Sequence, residues 1–441
     1  MIANLKPYPE YKETVLPWIG HVPGHWGQLR AKYLFREVDD RSTTGREELL
    51  SVSHLTGVTP RSQKTVTMFL AKSNVGHKIC RPGDALINTM WAWMGALGVA
   101  RHDGIVSPSY GVYRPLDGCA ILPSFADHLL RTPTYVAEYH RRSTGVNSSR
   151  LRLYPEQFLK IEVVVPPLNE QAAIVRFLDW MNGRLDRAIR AKRKELALIS
   201  EMLSVVTENA LRLEGTRRLR LSVVAEEMSR PIDRRANQNY TRIGLYNRGR
   251  GIFHKTTTDG AELGDSDFFW IEDGDLVISG QFAWEGAVAL ARGKDSGTIA
   301  SHRYPVLRGR KEYVSSSVLF ALFRTSFGSM LLNHNSRGAA GRNRPLNAAS
   351  LLKETIPIPP KAAQARITEL IDQEYAVNQS LSQFVKCINE YRTRLVADVV
   401  TGKLDLREVA AKLPEEAPAE IIENETALGD ETENIKEEET V

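Results

Sequence analysis

A chain of 441 residues, 42% apolar and 25% charged, is long enough for two or three ordinary domains and has the balance of a soluble globular protein. No run approaches the roughly 18 apolar residues that a membrane span needs, and the opening MIANLKPYPEYKE lacks the basic-then-apolar pattern of a secretory signal. The three cysteines, Cys80, Cys119 and Cys387, are far apart and without CxxC spacing, which argues against a disulfide frame and a zinc ribbon and leads us to expect a cytoplasmic protein with no membrane contact.

The net charge of +5 hides a split. Residues 413–441 hold eleven acidic side chains and one lysine, a net of −10, so the remaining 412 residues carry 57 basic against 42 acidic side chains, or +15. The tail, rich in Glu and Pro with few apolar anchors, is expected to be a solvated disordered end. The basic body suggests a polyanionic partner.

Along the chain, short apolar runs mark strands, among them DALIN after Gly83–Asp84 and DLVIS after Gly274–Asp275. A Gly-Asp turn entering a strand has backbone reasons for both residues, so these carboxylates are read as structural. The first globular stretch closes on the apolar run VVVPP (163–167), where proline stops a strand and opens a helix at little cost. In the helix that follows, Leu185, Ile189, Lys192, Leu196, Ile199 and Leu203 recur at steps of four and three, a heptad seam with one charged break. From Asn169 to Arg212 this helix would run to roughly 65 Å at 1.5 Å per residue. A second phrase of the same shape, IPIPP (356–360), leads into Ile367, Leu370, Glu374, Val377, Leu381, Phe384, Ile388, Tyr391 and Leu395, again with one charged break.

The chain is thus written twice, at offsets of about 191 to 194 residues. Pro166 aligns with Pro359, Gln171 with Gln364, Asp84 with Asp275, Arg101 with Arg292, Gly145 with Gly338 and Leu153 with Leu346. A period near 190 is a repeat of whole domains, not of a solenoid unit. Helices too long for one small domain to bury are expected to pack on each other, antiparallel.

Catalytic signatures are absent. Gly293–Lys294 and Gly402–Lys403 are not followed by Ser or Thr, so there is no phosphate loop, and neither an NPPY-like methyltransferase loop nor HExxH occurs. His77 with Cys80 is an isolated pair, no metal site is expected, and Glu10 has no partner acid for a nuclease site. What remains is binding chemistry in loops dense in Arg, Lys, Asn, Gln and Ser, which suit phosphates and base edges. In the first copy these are PRSQK (60–64), with Arg61, Gln63 and Lys64; NTMWAW (88–93), with Asn88 and Trp91; and RRSTGVNSSR (141–150), with Arg142, Asn147 and Arg150. In the second they are YNRGRGIFHK (246–255), with Arg248, Arg250 and Lys255; SGQFAW (279–284), with Gln281; and NSRGAAGRNR (335–344), with Arg337, Arg342, Asn343 and Arg344. Trp91, Trp93 and Trp284 are read mainly as packing residues, with stacking near bases as the second option.

Taken together, these residues resemble the specificity subunit of type I restriction–modification systems. The resemblance covers nearly the whole chain apart from the acidic tail. It rests on YKETVLPWIGHVPGHWGQLRAKYLF (11–35), GIVSPSYGVYRP (104–115), VVVPPLNEQAAIVRFLD (163–179) and VTGKLDLRE (400–408); the second copy, PPKAAQARI, lacks the acidic residue before Gln364. It implies an α+β fold with two tandem target-recognition domains separated by two long antiparallel coiled-coil helices. The corresponding segments are an N-terminal stretch (1–25), domain one (26–167), a central spacer helix (168–214), domain two (215–360), a distal spacer helix (361–401) and a C-terminal segment with the acidic tail (402–441).

The same resemblance implies double-stranded DNA with a bipartite target as the ligand, two methyltransferase subunits docked on the helices, and restriction (motor-nuclease) subunits. Leu185, Ile189, Leu196, Ile199, Leu203, Val377, Leu381, Phe384, Ile388 and Leu395 are then the seam and docking positions. The chain itself would bind no cofactor and catalyse nothing. S-adenosylmethionine would sit on the methyltransferase subunits, which methylate adenine at N6, and ATP and magnesium on the restriction subunits. Two rival readings remain: a stand-alone DNA-binding scaffold or regulator of the same fold without methyltransferase partners, and an enzyme acting on DNA through an unrecognised site.

Overall fold

The computed structural model describes residues 5–14, 18–63, 73–146, 151–338 and 344–413. The chain divides into two compact units, the first formed by Met1–Ala188 with Val385–Val441 and the second by Ile189–Phe384. Among the described residues no helix is long and apolar enough to cross a membrane.

Each unit is built on a four-stranded antiparallel sheet. In the first, the strand order is Phe35–Glu37, Tyr110–Pro115, Ala85–Asn88, Leu97–Val99. In the second, it is Ala225–Glu227, Val306–Gly309, Leu276–Ile278, Val288–Leu290. The registers match as well: Ala85 faces Val99 and Leu276 faces Leu290. The central strands Ala85–Asn88 and Leu276–Ile278 are buried along their whole length, and their apolar residues face cores on both sides of the sheet. A separate two-stranded pairing closes each unit, Gly27–Arg30 with Glu162–Val165 and Arg217–Arg220 with Thr355–Ile358.

The Gly-Asp turns are structural, for a reason the side chains make plain. Asp84 accepts the backbone N–H of Arg81 at 2.9 Å, and Asp275 that of Glu272 at 2.9 Å. Both carboxylates are buried, and each is neutralised from within its own unit. Arg114 grips Asp84 through two hydrogen bonds of 2.9 and 2.8 Å. Arg308 and Arg230 together hold Asp275, with contacts of 2.7 and 2.8 Å. A buried charge is tolerated when it is paired and hydrogen-bonded, and these are.

The strand–proline–proline–helix phrase has the same construction in both copies. After Pro166 the side-chain amide of buried Gln171 donates to the carbonyls of Pro166 (2.8 Å) and Ala120 (2.7 Å), while its oxygen accepts the Leu122 N–H at 2.8 Å. After Pro359 the amide of Gln364 donates to Pro359 and Tyr313, both at 2.9 Å. A proline cannot continue the ladder, so the turn leaves backbone carbonyls to be satisfied, and one glutamine in the first helical turn answers them.

The two helices are the central helix Leu168–Ala210, of 43 residues, and the distal helix Lys361–Val400, of 40. Both run through both units. In the first unit, Leu178, Met181 and Leu185 of the central helix share a core with Tyr391, Leu395 and Val399 of the distal one, and Arg392 pairs with Asp186. In the second unit, Leu203, Val206 and Ala210 share a core with Ile367, Leu370 and Ile371. The early part of one helix therefore meets the late part of the other within each unit, so the helix segments pair antiparallel, and each unit mixes helices with strands. Ile189, Leu203, Leu381, Ile388 and Leu395 are buried, and Leu185, Leu196, Ile199, Val377 and Phe384 half-buried.

The two charged breaks in the seam have different fates. Lys192 points to the surface and pairs with Glu195 one turn on, at 2.8 Å. Glu374 is held by Arg324 through contacts of 2.5 and 2.8 Å and accepts the Ser200 hydroxyl of the central helix. Burial pushes the Glu374 carboxyl up, but the hydrogen bonds and charge of Arg324 outweigh it and hold the group below the ordinary carboxylate range.

Candidate nucleic-acid interface

In each unit, loops far apart in sequence are brought side by side at the end of the central strand. The keystone is a single 3-10 turn, Ala92–Met94 in the first unit and Ala283–Glu285 in the second. Each is closed by a glycine in the left-handed region, Gly95 (φ 89°) and Gly286 (φ 74°), a conformation that a side chain with Cβ resists. The backbone bonds repeat one for one. Gly95 N–H to Ala92 and Gly286 N–H to Ala283 are both 2.8 Å, and Asn88 N–H to Ala96 and Ser279 N–H to Ala287 are 3.0 and 2.9 Å. The duplication seen in the sequence thus extends to the loop backbone.

A second loop docks on each turn in the same way. Leu153 N–H donates to Thr89 O at 2.9 Å, and Leu346 N–H to Gly280 O at 2.8 Å. Bridges Thr144–Arg152 and Ser336–Leu346 close the bases of these two loops. Lys64, Asn147, Arg150, Arg342, Asn343 and the acidic tail lie outside the described residues.

In the first unit Asn88 is buried and donates from its amide to the Tyr110 hydroxyl at 3.1 Å. Burial raises the Tyr110 hydroxyl above its ordinary range, and the charge of Arg61 opposes that shift. Gln63 stands half-buried in the same 3-10 turn as Arg61. Trp91 is 49% exposed and stacks on Trp93, with ring centres 6.4 Å apart and planes 14° from parallel. Arg142 departs from the expectation of a loop residue. It ends the helix Pro133–Arg142, and its Nε donates to buried Glu138 at 2.5 Å, next to Arg141, which takes the same carboxylate at 2.7 Å. Burial pushes Glu138 up, yet the two guanidiniums hold it below its ordinary range. The guanidinium of Arg142 is thus already occupied in securing a helix end.

In the second unit the arginine-glycine loop packs directly on the 3-10 turn. Arg248, at a positive φ of 59°, donates its N–H to Glu285 O at 3.1 Å, Gly249 donates to Gly286 O at 2.8 Å, and the Asn247 amide donates to the Glu285 carboxylate. Arg250 lies over the Tyr246 ring at 5.4 Å and donates to Asn247 O at 3.1 Å. Arg344 covers the Trp284 ring at 5.2 Å and donates to Asn333 at 3.3 Å. Gln281 and Arg337 are exposed, and Lys255 is half-buried after the strand Ile252–His254. Trp93 and Asn247 lie in loops already named from sequence, whereas His140 and Asn333 belong to these surfaces but fall outside those loops, because each is recognisable only by its neighbour.

Among the described residues no group of three or more His, Cys, Asp or Glu could hold a metal ion. Cys80 is buried, with its thiol pushed up to about 12 by desolvation and by the nearby Asp84 and Asp103 carboxylates, which removes it from nucleophilic chemistry at neutral pH.

No family model matches the sequence, and no curated protein matches it. Solved structures do match. One is a chain described under complex assembly and conformational transition of the type I R-M system, at 16% identity and a TM-score of 0.52, over 87% of this chain and 99% of that one. The fold is that of a type I restriction–modification chain. Two others are the HsdS subunit from Thermoanaerobacter tengcongensis (16% identity, TM-score 0.40, 87% of this chain and 97% of that one) and the type I restriction–modification S subunit from M. genitalium (13%, 0.42, 86% and 96%).

Proposed function

We propose that this chain is the DNA-recognition, or specificity, subunit of a type I restriction–modification complex. Each unit reads one half of a bipartite target in double-stranded DNA through its composite loop surface. The two long helices set the separation of the half-sites and dock two methyltransferase subunits. Methylation of adenine N6 from S-adenosylmethionine, and cleavage driven by ATP and magnesium, belong to the methyltransferase and restriction subunits, and the whole complex acts in the cytoplasm. The observation that carries this reading is the recurrence of the same loop-on-turn construction in both units, with a different set of Arg, Asn, Gln and aromatic side chains in each. Equivalent placement with different chemistry suits two unlike half-sites, since side chains read base edges while backbone-anchored cations hold phosphates.

Docking is supported by Leu198, Met202 and Val205 of the central helix, exposed apolar residues at helical spacing on a face the distal helix does not cover. Charge adds to the reading. The body excess of +15 suits a polyanion, and binding should weaken with salt as counterion release requires.

The test is to lengthen both helices by one heptad, which keeps the seam in register and adds roughly 10 Å, or about three base pairs at 3.4 Å each. Methylome sequencing of a host carrying the whole complex should then report the same two half-sites with a longer spacer. An unchanged spacer removes the helices from the measuring role. Recovery of the chain from its host without an adenine methyltransferase supports the stand-alone scaffold instead.

A further inference from the structure

The two units present opposite chemistries at the same backbone position, and the difference points to a mode of DNA contact confined to the first. Register places Trp93 opposite Trp284 across the repeat, and Met90–Trp91 opposite Gln281–Phe282. In the second unit the Trp284 ring is covered by the Arg344 guanidinium at 5.2 Å, Phe282 is half-buried and the exposed residue is the amide Gln281. In the first unit the Trp93 ring is covered by Trp91 instead, and the exposed residues are apolar, Met90 at 41% and Trp91 at 49%.

Trp91 is also rigidly presented. Its carbonyl accepts the N–H groups of Met94 (3.0 Å) and Ala96 (3.1 Å), and its own N–H donates to Asn88 O at 3.0 Å. Behind it, Trp93 is pinned by a 2.9 Å hydrogen bond from its indole N–H to Met90 O and by the edge of His140 at 6.1 Å. A half-exposed indole on a fixed platform, three residues from the hydrogen-bonded Asn88–Tyr110 pair, costs hydration of apolar surface and loses little entropy when a flat ligand covers it. The flat ligand available in the function proposed above is a nucleobase.

Resting on that DNA-reading role, we propose that Trp91 stacks on a base at an opened step of the half-site read by the first unit, while the second unit contacts its half-site through amide and guanidinium groups alone. Stacking on an aromatic side chain is tolerant of base identity but requires an unstacked neighbour. The first unit should therefore favour a deformable pyrimidine–purine step at this point.

The full-length chain is used to select duplexes from a random library, and 2-aminopurine is then placed at successive positions of the selected site. A fluorescence change confined to one position of one half-site is expected, with Trp91→Ala abolishing it and weakening binding roughly ten- to a hundredfold. The slope of log affinity against log salt should stay unchanged, because no phosphate contact is lost. Trp91→Phe should keep most of the affinity, whereas Trp91→Leu, apolar but without a stacking face, should lose as much as the alanine variant. Backbone hydrogen exchange across Ala85–Val99 verifies that the variants are folded. Wild-type affinity in Trp91→Ala or Trp91→Leu, or a 2-aminopurine signal that survives in Trp91→Ala, overturns the stacking role. So does loss of a co-purifying subunit in Trp91→Ala with DNA binding intact. Failure of the wild-type chain to enrich any duplex overturns the DNA-reading role itself, and the two failures are thereby distinct.

Discussion

In the first unit the third residue after the double proline is Glu170; in the second the corresponding residue is Ala363. Glu170 is buried and accepts hydrogen bonds from the Tyr8 hydroxyl and, at 3.0 Å, the Trp26 indole, with His25 Nε2 2.8 Å from its other oxygen. Arg407 lies over the Tyr8 ring at 5.2 Å, and Arg176 donates to Leu413 O at 2.8 Å, so the opening and closing segments of the chain are both fastened around this helix start. The second unit has no such need. Its strand Arg217–Arg220 leaves the central helix through a short connection, so the peptide chain itself holds that strand in place. The first unit's equivalent strand, Gly27–Arg30, arrives from the N-terminal segment, and the Glu170 contacts to Tyr8 and Trp26 reinforce the backbone bonds that fix its approach. In the first copy a buried carboxylate helps to fasten what a short connection joins in the second.

The largest effect that would break this comparison lies in the buried Asp pairs. Asp275→Ala leaves both Arg230 and Arg308 without their buried carboxylate, whereas Asp84→Ala strands Arg114 alone. Removing one partner of a buried pair costs about 3 to 5 kcal/mol, and the second unit should suffer more. Hydrogen exchange at Leu276–Ile278 in one variant and Ala85–Asn88 in the other measures the two losses separately. Equal losses would mean that Arg230 adds nothing. Next in size, Glu170→Ala should destabilise the first unit by about 3 kcal/mol, because the two buried donors Tyr8 and Trp26 lose their acceptor and the exposed His25 ring loses its partner. Exchange at Gly27–Arg30 should rise while Arg217–Arg220 stays protected; protection retained in both would refute the clasp.

The smallest effect is a pH dependence expected of the second unit. The folded-state carboxyl of Glu374 lies below its ordinary value of 4.5, so the stability it contributes is fully present above that value and is lost as pH falls through the folded one. Acid should therefore loosen the Arg324–Glu374–Ser200 contact below about pH 4.5, and Glu374→Gln should flatten that part of the profile. A profile unchanged by the substitution would assign the acid sensitivity elsewhere.

Much of this architecture was legible in the residues. The repeat, the double-proline junctions, the pair of long helices and the structural role of Asp84 and Asp275 all rest on local patterns: proline geometry, heptad spacing, and glycine with aspartate at turns. The polar stretches were legible in composition, although one of them, RRSTGVNSSR, begins in the helix Pro133–Arg142, and their assembly into two surfaces was not legible. The bond from Leu153 to Thr89, or from Leu346 to Gly280, joins residues more than sixty positions apart. Arg142 shows the limit most clearly: its composition suits a phosphate contact, yet the acid that occupies it, Glu138, is identified by burial and distance alone.

By itself, then, the sequence determined that there are two related units and that each hands over to a long helix, because strand, turn and heptad periodicities are written within a few residues of one another. Tertiary structure alone decided which side chains share a surface. It also decided which charges are spent on internal pairs, and where a buried carboxylate helps to fasten a strand. Those outcomes depend on contacts across tens to hundreds of residues, whose energies arise only once burial has removed the competing water.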